Sequence, residues 1–274
     1  MNAGQSLLVT AAVSLPASSS TSSSSTTSFN ATWSLQTSDS SSIASDMNLN
    51  AVSLTPVTQI LSATSSTVKV YLSLPGNVLA SGLSYSFALI LTPLTSSSSS
   101  DGVLGGASSV VVAVNAPPQP GVFEVSPGWG REVLDAFTFA CSVWTDVDLP
   151  LSYQFGYWSL SGSKMVARSM SVLSYASSIL LPGGASERNY SVMVFADVFD
   201  SLSADTTVTH SLAVLPSTTS NTSSSSSSSI ATSFVSQYLN FSSGDQGSVD
   251  SLLQVTSLGS YLLHRANCSL TPNC

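Results

Sequence analysis

The sequence predicts a mainly β protein: two tandem β-sandwiches followed by a short helical tail. Three observations predict it. Between serine-rich tracts, apolar residues recur every second position, the period of a half-buried strand. That pattern runs twice in the same order. After the last serine tract, the period changes to that of a helix.

The elements follow in chain order. Leu7 to Leu15 reads as a strand, and Asn30-Ala31-Thr32-Trp33-Ser34-Leu35 as a second carrying a core tryptophan. Thr67 to Leu74 alternates and stops at Pro75-Gly76, a turn signal. Ser84 to Leu91 alternates next, and the β-branched Ser108 to Val114 closes the first block. The order then recurs. Phe137 to Cys141 leads to Trp144, an acidic turn Asp146-Val147-Asp148-Leu149-Pro150, and Tyr153 to Tyr157. Ser177 to Leu181 stops at Pro182-Gly183-Gly184, then Tyr190 to Phe195 and Thr206 to Val214 complete the set. Short β-branched strands at this spacing indicate a sandwich, and two copies indicate a tandem. Trp33 and Trp144 are expected to be the core anchors of the two copies.

Domain boundaries come from composition. The first sandwich is expected over residues 5–114, the second over 115–216, a serine-rich linker over 217–229, a helical segment over 230–264 and a tail over 265–274. The double proline Pro117-Pro118 stiffens the joint between the sandwiches, because proline fixes φ and lacks an amide donor. In the helical segment, Ile230, Ala231, Phe234, Val235, Tyr238 and Leu239 form one stripe. Val249, Leu252, Leu253, Val255, Leu258, Tyr261 and Leu262 form another, after a cap at Asp245 or Ser248. Both helices need a partner surface, which is expected to lie outside this chain.

Composition excludes several function classes. Only 7% of the residues are charged, against roughly 25% in ordinary soluble proteins. Serine and threonine supply the missing polarity, a composition that suits a secreted or cell-surface setting. The net charge is −8, and the basic residues Lys69, Arg131, Lys164, Arg168, Arg188 and Arg265 are scattered. Nucleic acid and anionic lipid both need clustered cations, so neither is an expected partner. No apolar run approaches the ~20 residues of a membrane-spanning helix.

The chemistry-bearing residues are few. His210 and His264 are the only histidines, and neither has a ligand neighbour at metal spacing. No nucleophile elbow, phosphate loop or dinucleotide fingerprint is present, so the chain reads as non-enzymatic and without a cofactor. Asp146 and Asp148 could share a calcium ion given further oxygens, with Asp197, Asp200 and Asp205 as candidate helpers. The same two carboxylates could instead cap the turn by accepting local backbone amides. Of three cysteines, Cys141 reads as a buried thiol, while Cys268 and Cys274 could close a small loop in an oxidising compartment. N-glycosylation sequons begin at Asn30, Asn189, Asn221, Asn240 and Asn267.

One stretch has a more specific wording. Asn115-x-Pro117-Pro118, Gly121-x-x-x-Val125-Ser126-Pro127 and Phe139-x-Cys141-x-x-Trp144-x-Asp146-x-Asp148-x-Pro150-Leu151-x-Tyr153-x-Phe155 resembles the receptor-for-egg-jelly (REJ) module. That module occurs in polycystin-type membrane proteins, sperm egg-jelly receptors and protist surface proteins. The resemblance implies tandem immunoglobulin- or fibronectin-III-like sandwiches on the extracellular face of a plasma-membrane protein. It implies a non-catalytic adhesion or stalk module of a receptor or channel. The partner would be an extracellular protein or glycan, or neighbouring domains. The alternative expectation is a complete secreted carbohydrate- or matrix-binding protein. Relatives often place a cysteine two residues before Val125, able to pair with the one at Cys141. Here that position is Phe123, so packing is expected to replace the crosslink. The chain is also expected to be a fragment of a larger receptor-like protein, truncated at its N-terminus.

Overall fold

The computed structural model describes residues 1–14, 28–36, 47–62, 67–94, 105–216 and 249–268. It is mainly β and divides into two compact units, Met1–Ala116 and Pro117–Cys274.

The first unit contains β1 (Leu7–Ser14), β2 (Ser28–Gln36), the one-turn helix α1 (Leu49–Val52), β3 (Thr58–Ser62), β4 (Thr67–Leu74), β5 (Ser84–Leu94) and β6 (Gly106–Ala113). β1 pairs antiparallel with β4, and a second antiparallel sheet runs β3-β2-β5-β6. The period of two explains the layers. Val70, Leu72 and Leu74 of β4 point inward while Lys69 and Tyr71 point out. They meet Phe29, Ala31 and Trp33 of β2 and Tyr85, Phe87 and Leu89 of β5 in one core. Trp33 is only 4% exposed.

The second unit contains β7 (Val122–Ser126), β8 (Trp129–Arg131), β9 (Phe137–Ser142), β10 (Ser152–Trp158), β11 (Lys164–Ser171), β12 (Tyr175–Ile179), β13 (Ser191–Phe199), β14 (Asp205–Leu215) and the helix α2 (Val249–Cys268). One sheet runs β11-β10-β13-β14-β8, the other β12-β9-β7. The only parallel pair among the described strands joins β14 to the three-residue β8. Phe137, Phe139, Phe155, Tyr157, Val194 and Val214 are buried between the sheets, with Trp144 at the margin.

One expectation is corrected. The helical stripe ending at Leu262 does not await an absent partner, because α2 lies on β11 within its own unit. Leu258 and Leu262 join the core. Gln254 fastens the helix: its Oε1 accepts from the Leu180 amide at 3.3 Å, and its Nε2 donates to Ser178 O at 3.4 Å. Further along, the Tyr261 hydroxyl lies 3.2 Å from buried Glu132 Oε2 and 3.1 Å from Gly183 O. Leu252, assigned to the buried stripe by periodicity, is exposed instead. The helix is thus rotated so that polar Gln254 faces the backbone at the end of β12. The stripe at Ile230 to Leu239 and the cap at Asp245 or Ser248 lie outside the described residues.

Candidate functional site

Strand register brings three connections to one end of the second unit. Tyr153 stands opposite Ser171, Ser152 opposite Phe199, Phe199 opposite Asp205, and Val122 opposite Ser142. The connections 143–151, 172–174 and 200–204 therefore emerge together. One backbone bond joins two of them, and another fastens 172–174 to β9. Ser201 N donates to Asp148 O at 3.0 Å, and Cys141 N donates to Ser174 O at 2.7 Å.

At this end Asp146, Asp148 and Asp200 converge, each offering a carboxylate oxygen within 4.8 Å of the others. Their local roles differ. Asp146 Oδ1 accepts from the Asp148 amide at 2.7 Å, the turn-capping role. Buried Asp200 accepts from the amides of Leu202 and Ala204 at 2.8 and 2.9 Å, closing its own turn. Asp197 and Asp205 do not join. Asp197 is buried and held by Lys164 Nζ at 2.6 Å and by the Thr207 hydroxyl at 2.7 Å, while Asp205 begins β14. Lys164 also lies 4.4 Å from the Phe195 ring centroid, so aromatic faces share its charge.

The same end exposes large apolar side chains. Val147 is 92% exposed, and Val143, Leu149, Val172, Leu173 and Leu202 are all more than half exposed. In the sequence, Val147 and Leu149 stand inside the acidic turn Asp146–Pro150 and carry no alternating pattern. The available signal was apolar residues placed among Asp and Pro, where no alternating strand could bury them.

Other candidates stand apart. His210 is exposed on β14, its ring perpendicular to that of Phe123 with 6.5 Å between centroids. His264 lies in the last turns of α2. The Cys141 thiol is buried, and burial pushes its pKa up to about 12 against an opposing contribution from Trp144. An open cleft of about 950 Å³ runs between β10, β13 and α2, past Tyr157, Trp158, Met193, Ser257 and Tyr261. Its described lining contains no Asp, Glu, His or Cys, the groups most used for proton transfer. Among the sequons, Asn189 is exposed in a left-handed turn at φ 53°. Asn30 sits mid-strand in β2 between β3 and β5, its Oδ1 buried. Asn267 is in the final turn of α2, and Asn221 and Asn240 lie outside the described residues, as does Cys274.

The motif stretch now has physical reasons. Gly121 is a glycine because a Cβ there would run into the Ser142 carbonyl oxygen and lie 2.6 Å from Trp144 Cδ1. Phe123 stands directly opposite Cys141 in the β7–β9 pair. Its ring contacts Phe139 edge-on at 5.7 Å and stacks on Phe155 at 6.2 Å. Aromatic packing therefore occupies the place a cross-strand bridge would take. The architecture is that of a two-unit β-sandwich protein whose chemistry-bearing groups gather on strand connections. The REJ domain family matches residues 1–260 of the 274-residue chain, and the chain belongs to that family.

Proposed function

We propose that the chain is a non-catalytic adhesion or stalk module on the extracellular face of a polycystin-like membrane receptor or channel protein. The observation that carries this reading is the family membership over residues 1–260. Three features support it. The surface draws its polarity from hydroxyls, with only 7% charged residues. No helix among the described residues is long and apolar enough to cross a membrane. Ladders that are antiparallel except for β14–β8 make up both units, and such ladders resist extension because several hydrogen bonds must break together. The partner is an extracellular protein or glycan, or a neighbouring domain of the parent receptor.

Surface labelling tests the reading. A membrane-impermeant biotin reagent applied to intact cells should label the native protein, and the label should stay with the membrane fraction. Labelling only after permeabilisation would overturn it. Labelled protein recovered free in the medium would instead favour a secreted carbohydrate- or matrix-binding protein.

A further inference from the structure

We infer that the groove between β1 and β6 of the first unit is a strand-acceptor site. It takes an extended segment of another protein, antiparallel to β1, with apolar side chains at alternate positions. The two units correspond strand for strand. β4-β1 matches β12-β9, and β3-β2-β5-β6 matches β11-β10-β13-β14. Even the parallel pairing of β8 with β14 has its match, in the parallel bridge between Asn2 and Asn115. Among the described residues, only β7 has no counterpart. In the second unit β7 pairs antiparallel with β9, and its Phe123 ring reaches His210 on β14. It thereby closes the side of the sandwich between β9 and β14.

The matching side of the first unit is open. A groove of about 440 Å³ lies there, bordered by β1 and by residues 106–110 of β6 and lined between them by Trp33, Phe87 and Leu89. Val9 and Ala11, which also line it, are only half-buried, whereas Phe137, Phe139 and Cys141 on β9 are buried. Among the described strands β1 pairs with β4 alone and β6 with β5 alone, so each has a free edge. Free edges are ordinarily blunted by charge, proline or a bulge. Leu7–Ser14 and Gly106–Ala113 contain no charged residue and no proline, and their registers run without a bulge. These features choose the occupant. A row of edge N–H and C=O groups is matched in order by another strand and not by a glycan or a lipid chain. A second copy of this chain is a poor fit. Each of its described strands already lies in a sheet, so it could only line up edge to edge and would leave the groove unfilled. An extended segment with apolar residues two apart pairs the edge and fills the groove together, as Phe123 and Val125 let β7 do.

Random peptides displayed on phage and panned against the full chain test this. Enriched sequences should carry apolar residues at alternate positions. On binding, amide exchange should slow in β1 and stay unchanged in β13. Ala11→Phe, which fills the groove, and Val110→Lys, which puts a charge on its rim, should each weaken an enriched peptide by about tenfold or more, with the circular dichroism of the unbound chain unchanged. Failure to enrich any peptide, enrichment without alternation, protection confined to other strands, or indifference to either variant would overturn the inference. So would full protection of every β1 amide in the peptide-free monomer, the sign of a groove filled by this chain itself. A concentration-dependent dimer that Val110→Lys abolishes would also overturn it. The groove is independent of compartment, so its failure leaves the extracellular reading standing.

Discussion

The two units follow one strand grammar and close their cores differently. In the first, two sheets of two and four strands meet around aliphatic residues from β4 and rings from β2 and β5. In the second, sheets of five and three strands enclose a phenylalanine-rich cluster, and α2 covers the side along β11. The difference shows that a sandwich can recruit a helix as a further wall. It also separates two features of the second unit: α2 and Phe123 hold it together, while its loop end exposes apolar side chains.

Substitution at Leu258 is the strongest way to break this comparison. Leu258 is fully buried, and Leu258→Ala should cost about 2–5 kcal/mol. Hydrogen exchange should show β13 losing protection while β4 and β5 keep theirs. Equal loss in both units would contradict separate cores. Phe123 comes next. Phe123→Ala should destabilise by about 2 kcal/mol, less than a fully buried ring. Phe123→Cys should pair with Cys141 under oxidising conditions, because the register sets the two positions directly opposite. Persistence of both thiols after oxidation would show that register to be wrong.

The helical wall was half legible in the sequence. The stripe Val249 to Leu262 announced a helix, but periodicity cannot say what covers a helix. Its partner, β11, hid behind a broken alternation. Within Lys164–Ser171 only Ala167 is fully buried, and bulges shift its register with β10. Strands with clean alternation, such as Thr67–Leu74, lie where their residues place them. The three-residue β8 had no pattern to read, since its pairing with β14 is a tertiary event. At the loop end, Asp146 and Asp148 were visible as a pair. Asp200 joined them only through strand register.

Smaller effects sharpen the picture. Cys141 is held protonated by burial, its pKa raised from 9.0 to about 12. A thiol with a raised folded-state pKa contributes stability below the unfolded value and loses it as pH rises. Stability should therefore decline from about pH 9 toward pH 12, and Cys141→Ala should flatten that decline. A thiol that reacts with iodoacetamide at neutral pH in the folded chain would contradict its burial. The smallest expected effect concerns calcium at the three carboxylates. Asp146 and Asp200 already accept local amides, so millimolar calcium should leave the melting temperature unchanged. A rise would convert this turn from a structural cap into an ion site.

The central claim, an extracellular module, is tested most directly by N-glycan mapping on the native protein. Asn189 offers an exposed turn in the second unit, whereas Asn30 is enclosed within a central strand of the first. Release of glycans by amidase in heavy-oxygen water, followed by mass spectrometry, should mark Asn189 and leave Asn30 unmarked. Ser191→Ala should remove the mark without disturbing the left-handed asparagine. A native protein carrying no glycan at Asn189 would contradict the account.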